Sequence, residues 1–148
     1  MEKTILTEPI VVVEDDADDQ FLLRKVFERL EIESELLFFY NGKEAWDYLK
    51  TTTKKTFMIL CDINMPVMNG LELRQRINND PEMRKKSIPF IFLSTAARNT
   101  DIDKAYDLSA QGFFVKESTF NEMENALRVI VNYWDRCKHP NSLQKQPR

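Results

Sequence analysis

Four apolar runs of this chain each end in side chains that could do chemistry. Glu14, Asp15 and Asp16 follow Val11-Val12-Val13, and Asp62 follows Ile59-Leu60-Cys61. Ser94 and Thr95 follow Phe90-Ile91-Phe92-Leu93, and Lys116 follows Phe113-Phe114-Val115. Taken singly, each has an ordinary explanation: a solvated loop acid, a hydroxyl capping a turn, a solvated lysine. Taken together, carboxylates gathered at one place repel one another unless a cation or a basic side chain offsets them. The sequence has one histidine, His139, and two distant cysteines, Cys61 and Cys137, so the ligands at hand are oxygens. Oxygen ligands favour magnesium or a similar hard ion over zinc, and magnesium characteristically takes one or two carboxylates together with phosphate oxygens. Lys116 could neutralise a phosphate as a point charge.

The elements that must position these groups follow from hydrophobic spacing. Strand-length apolar runs at Ile10–Val13, Leu36–Tyr40, Phe57–Cys61, Phe90–Leu93 and Phe113–Val115 alternate with stretches of helical period. The helical stripes are Leu23/Val26/Phe27/Leu30, Ala45/Tyr48/Leu49, Gly70/Leu73/Arg74/Ile77, Ile102/Ala105/Tyr106 and Phe120/Met123/Leu127/Ile130/Trp134, which are core faces rather than cofactor sites. Asn79-Asp80-Pro81 closes the third helix. Asp18 and Asp19 fit the first turn of the first helix, where the helix dipole favours negative charge. Five β-α units with uniformly apolar strands predict a parallel sheet covered on both faces, whose ligands bind beyond the carboxyl ends of the strands.

Composition sets the outer bounds. With 43% hydrophobic and 30% charged residues in 148, the chain has the make-up of one ordinary folded domain. The formal charge of −3, with Arg84-Lys85-Lys86 as the densest basic stretch, argues against nucleic acid as a partner. No apolar stretch approaches the length of a membrane span, and Met1 to Pro9 read as neither signal nor anchor. Cys61 inside an apolar run reads as a buried thiol of a reducing compartment, so the expected location is cytoplasmic.

Val12-Val13-Glu14-Asp15-Asp16, Cys61-Asp62-Ile63-Asn64-Met65-Pro66 with Asn69-Gly70, Ser94-Thr95-Ala96, and Gly112-Phe113-Phe114-Val115-Lys116 together resemble the receiver domain of response regulators. The resemblance runs from about Ile10 to Arg136. It implies an α/β fold: a doubly wound five-stranded parallel sheet in the flavodoxin-like order 2-1-3-4-5, with helices on both faces. Residues 1–136 would form the receiver and 137–148 a short polar tail.

The resemblance further implies a stand-alone response regulator of a two-component phosphorelay. Asp62 would accept a phosphoryl group from a histidine kinase or a histidine phosphotransfer protein, with Mg2+ as cofactor. Asp15 would be a direct metal ligand, Glu14 a ligand through water, and the Asn64 backbone carbonyl a further ligand. Lys116 would neutralise the phosphoryl group. The switch hydroxyl falls on Ser94, five residues after Pro89, rather than on Thr95, and Phe113 is the aromatic that would fill the space Ser94 vacates. Lacking a ring hydroxyl, Phe113 would signal by packing alone. The chain would assist its own phosphorylation and dephosphorylation without being an enzyme towards other substrates. Output would pass to another protein, from a monomer or weak dimer, with no nucleic acid and no membrane involved.

One departure bears on the site. Glu117 follows Lys116 where the family carries a proline after a cis bond, so the Lys116–Glu117 bond is either cis, at about 2.5–4 kcal/mol, or trans with a shifted loop. Two rival functions remain. A receiver-like adaptor would bind its partner whatever the state of Asp62. A small metal-dependent phosphatase would need a second acid two residues after its nucleophile, where Asn64 stands.

Overall fold

A computed structural model describes residues 8–95 and 98–138. In chain order the elements are β1 (Ile10–Val13), α1 (Ala17–Arg29), β2 (Leu36–Phe39), α2 (Gly42–Thr51), β3 (Met58–Cys61), α3 (Gly70–Asn79), α4 (Pro81–Lys85), β4 (Phe90–Ser94), α5 (Asn99–Asp107), β5 (Gly112–Val115) and α6 (Phe120–Arg136). The strands form one parallel sheet in the order β2-β1-β3-β4-β5. This is the flavodoxin-like arrangement expected above.

The central strands are buried on both sides, which is why their sequences are apolar without alternation. On one face Ile10, Val12, Leu60 and Leu93 pack with Val26 and Phe27 of α1 and Leu127 and Ile130 of α6. On the other, Val11, Val13, Ile59 and Phe92 pack with residues of α2, α3 and α5, among them Leu49, Leu73 and Ala105. A sheet sandwiched this way exposes polar groups only at its two ends, so the carboxyl edge is the natural place for a site.

Helix starts crowd the same edge. The side chains of Asp16, Asn41 and Thr119 accept the N–H of the third helical residue in α1, α2 and α6. Asn69 and Glu72 close a reciprocal capping box on α3. Asp16 is thus a helix cap rather than a solvated loop acid.

The third helix does end at Asn79, but Asp80 and Pro81 start a sixth helix instead of a loop: Asp80 Oδ1 accepts the Met83 N–H at 3.0 Å, and proline is at home in a first turn. Helix α4 is one turn long, too short for periodicity to reveal it. On the helix surfaces Tyr133 is exposed, Trp46 is half-buried, with the side-chain cations of Lys50 and Arg76 over its ring at 5.7 and 5.4 Å, and Val131 is core. Residues 1–7, Ala96, His139 and the tail 139–148 lie outside the described residues.

Two backbone features shape the loop between β3 and α3. The Gly70 N–H donates to the Ile63 carbonyl at 2.9 Å, and a Cβ on Gly70 would overlap the Asp62 carbonyl oxygen. Val67 has φ 69° in a tight turn closed by Met68 N–H to Pro66 carbonyl at 2.7 Å, with its side chain 80% exposed. A β-branched residue in the left-handed region carries strain of roughly 1–2 kcal/mol with no packing to offset it here. Two substitutions three residues apart should therefore act in opposite directions. Gly70→Ala is expected to destabilise the fold by about 1–3 kcal/mol, because a backbone oxygen cannot give way. Val67→Asn is expected to stabilise it by about 1 kcal/mol. Urea unfolding midpoints check both, and a stabilised Gly70→Ala would contradict the close approach.

Candidate functional site

The parallel register brings the polar strand ends together. Asp62 donates its backbone N–H to the Val13 carbonyl at 3.0 Å, and Glu14 donates its own to the Phe39 carbonyl at 2.9 Å. The ends of β2, β1 and β3 are thus tied in sequence. Lys116 donates its backbone N–H to the Ser94 carbonyl at 3.0 Å, which ties β5 to β4.

Two carboxylates at this edge, those of Glu14 and Asp62, are oriented by backbone N–H groups. One oxygen of Glu14 accepts the Asp16 N–H at 3.0 Å, and the Gln20 side-chain amide donates to the Glu14 carbonyl at 2.6 Å. Asp62 Oδ1 accepts the Ile63 N–H at 2.7 Å. The carboxylate oxygens of Glu14, Asp15 and Asp62 can all lie within 4.8 Å of one another. Glu14 is only 2% exposed, whereas Asp15 opens to solvent.

The ammonium of Lys116 sits among these acids. It donates to Glu14 Oε1, to Asp19 Oδ2 at 2.8 Å and to Asp62 Oδ2 at 3.2 Å. Among the described residues no peptide bond is cis, so Lys116–Glu117 is trans, and the lysine reaches the acids all the same.

Burial and charge shift the proton affinities in this cluster. Burial pushes the Glu14 carboxyl up from 4.5 to about 7, against the opposing pull of its Lys116 and Asp16 hydrogen bonds. For Lys116, burial alone would lower the value, but the bonds to Asp19 and Glu14 and the charge of Asp62 prevail and hold it above the ordinary lysine range. The Cys61 thiol is raised well above its ordinary value by burial and by the charges of Asp62 and Glu14, which leaves it an unreactive core residue.

The donor set of three carboxylates, open to solvent on the Asp15 side, fits a hard divalent cation. Such an ion would relieve the repulsion that one ammonium only partly offsets.

The model of the response regulator receiver domain matches residues 10–128. This chain belongs to that family. Response regulator Rcp1 of Synechocystis sp. is 25% identical over 130 residues, covering 84% of this chain and 87% of its own. Chemotaxis protein CheY1 of Helicobacter pylori is 29% identical over 122 residues, covering 82% of this chain and 95% of its own. Among solved structures, the phosphorylated cyanobacterial phytochrome response regulator RcpA superposes with a TM-score of 0.82 at 26% identity, covering 91% of this chain and 99% of its own. The chain is therefore a receiver domain of two-component signalling, similar to single-domain response regulators. No helix among the described residues is long and apolar enough to cross a membrane.

The receiver's other sequence-selected residues fall as follows. Ser94, the last residue of β4, is fully buried, while Thr95 is exposed and borders a small cleft with Lys116. Phe113 pairs in register with Phe92, packs on its ring at 6.0 Å and joins the core of the α2, α3 and α5 face. Strand alternation puts Ser94 on that same face. Asn64 lies exposed, two residues after Asp62. Sequence reasoning missed Asp19 and Gln20 as members of the site. Asp19 resembled an ordinary first-turn acid, and nothing in its neighbours signals a partner 97 residues away.

A pH dependence follows from Glu14. Its folded-state value lies above its unfolded one, so its contribution to stability is complete below about 4.5 and is lost as pH rises through about 7. Lys116 titrates above this window and adds no slope within it. In chelator, the urea midpoint of the metal-free receiver is expected to carry a falling component between pH 5 and pH 8 that Glu14→Gln removes. An unchanged slope in the variant would assign the effect elsewhere.

Proposed function

We propose that this receiver is a phosphorylation switch that accepts a phosphoryl group on Asp62 from the phosphohistidine of a histidine kinase or a histidine phosphotransfer protein. The observation that carries the reading is the convergence of Glu14, Asp15 and Asp62 with the single ammonium of Lys116 at the carboxyl edge of the sheet. Transfer would form a bond between the Asp62 carboxylate and phosphorus, while the electron pair of the breaking P–N bond returns to the imidazole. Catalysis of this kind is mainly positioning and charge neutralisation, which the cluster supplies without further covalent chemistry.

Glu14, through water, Asp15, Asp62 and the Asn64 carbonyl are the groups that would hold a magnesium ion. Solved proteins of this fold include a Mn2+-bound Rcp1 and a magnesium-bound receiver of a Pseudomonas aeruginosa sensor kinase, which supports a divalent ion in this fold. A divalent ion there supplies neutralisation of phosphoryl oxygens. The chain's own residues do the rest: the Ile63 N–H fixes one oxygen of Asp62, and Lys116 meets the charge that arrives.

Signalling would follow from Ser94 and Phe113. Their placement on one face of the sheet supports a readout in which the hydroxyl turns towards the phosphoryl group and the ring repacks behind it. The product would be an altered surface of α5, β5 and α6 for another protein to read. We take the receiver unit to extend through Arg136, with a short tail after it, and to work in the cytoplasm as a monomer or weak dimer. It would act on no substrate besides its own aspartate.

The test is intact mass after incubation with magnesium and phosphoramidate or acetyl phosphate. A magnesium-dependent gain of one phosphoryl group is expected on the wild type and none on Asp62→Asn. Lys116→Met should slow the gain by about 100-fold, as loss of one charge-stabilising donor does elsewhere. Absence of any gain across donors would replace the switch with an adaptor that binds irrespective of Asp62.

A further inference from the structure

The family pattern uses Glu14 and Asp62 around Lys116 but leaves one partner unassigned. Asp19 stands in the first turn of α1, its backbone N–H held by Asp16 Oδ1 at 3.0 Å. A helix-start acid that only complements the dipole points to solvent, as the exposed neighbour Asp18 does. Asp19 instead turns inward and pairs with Lys116 at 2.8 Å, where the lysine side chain is 7% exposed and its own 38%. This contact to the ammonium is nearer than that of Asp62 at 3.2 Å.

Asp19 also lies outside the cluster of Glu14, Asp15 and Asp62 that is arranged for a cation. When those carboxylates are engaged with a cation, Asp19 is the one left to hold the ammonium. The space beside the pair makes this anchoring matter. A cleft of about 70 Å3 is lined by Asp19, Lys116, Leu22, Thr95 and Glu117 among others, so a second carboxylate borders the volume into which a released lysine could turn.

We propose that Asp19 is a positioning residue: it anchors the Lys116 ammonium on the α1 side of the pocket, aimed at Asp62 and away from Glu117. This rests on the reading of Asp62 as the phosphoryl acceptor. The aim of Lys116 is then set by an ion pair between α1 and the end of β5, alongside the course of the loop that follows it.

The opposite electrostatic role gives the opposite sign. Were Asp19 merely one more negative charge near the site, its removal would favour an anionic donor and speed phosphorylation. As an anchor, its removal lets the lysine drift, and a misplacement of about 1 Å at a reacting centre can cost up to 100-fold.

The experiment has two arms. In the first, phosphorylation by phosphoramidate at saturating magnesium is timed by intact mass for the wild type, Asp19→Asn, Lys116→Met and the double variant. Asp19→Asn should be slower by about tenfold or more, with no added effect in the Lys116→Met background. A rate equal to or above wild type, or an equal loss in both backgrounds, would overturn the anchor. In the second, nitrogen-detected NMR follows the Lys116 ammonium in unphosphorylated protein at saturating magnesium, with its signal assigned through Lys116→Met. A slowly exchanging signal should be present in the wild type and lost in Asp19→Asn, while the rest of the spectrum shows an intact fold. Persistence of that signal in the variant would also overturn the proposal. Because this arm needs no phosphorylation, it judges the anchor even if the wild type takes up no phosphoryl group, an outcome that would count against Asp62 as acceptor.

Discussion

A single buried ammonium holds together carboxylates that three different elements bring to one edge of the sheet. Glu14 arrives at the end of β1, Asp62 at the end of β3 and Asp19 on α1, and Lys116 reaches all of them from the end of β5. Without an opposing charge this convergence would be costly, because buried like charges repel and shed their hydration at the same time. The edge is therefore poised rather than relaxed. Glu14 shows the tension most directly, since burial raises its proton affinity even with a lysine in contact. A site in this condition has a built-in affinity for further positive charge, and the open side at Asp15 is where it can enter.

The scaffold must deliver Asp62 to that point accurately, and close approach of backbone does it. Gly70 lets the start of α3 press on the Asp62 carbonyl, and the Asn69–Glu72 capping box fixes that helix start in place. Gly42 does the same for α2, where a Cβ would come within 2.8 Å of the Met68 carbonyl oxygen that its N–H already binds. The loop after Asp62 is thus clamped between two helix starts, and the strained turn at Val67 lies between the clamps. Strain that persists in this way needs surroundings that overdetermine it. Here those surroundings are the helix contacts on either side.

Much of this was legible in the sequence, and what was legible shares a physical origin. Uniformly apolar runs mark strands buried on two faces, and polar residues directly after them mark the sheet's carboxyl edge, so Glu14, Asp15, Asp62, Ser94 and Lys116 could be placed at one edge from order alone. The strand order came from family resemblance, because spacing does not say which strands are neighbours. Other features were hidden for specific reasons. Helix α4 is a single turn, below the length at which periodicity speaks. Asp16 and Asp19 are both acids at a helix start, yet one caps the helix and the other crosses to Lys116, and no local signal distinguishes them. Val67 is a residue whose type argues against the conformation it adopts.

The division of the sheet into two faces also separates the roles of neighbouring hydroxyls. Ser94 ends β4 fully buried, on the face where Phe113 packs against Phe92, whereas Thr95 borders the cleft of Leu22, Lys116 and Asp19 beside α1. On the proposed switch, a change at Asp62 would be felt in two directions, through Ser94 in the core of α2, α3 and α5 and through Lys116 in α1. The ion pair with Asp19 makes the second route more than proximity, since any movement of the ammonium must lengthen or rebuild a contact to that helix. On that reading, one edge of the sheet would couple a charge placed at the end of β3 to both of the layers that flank it.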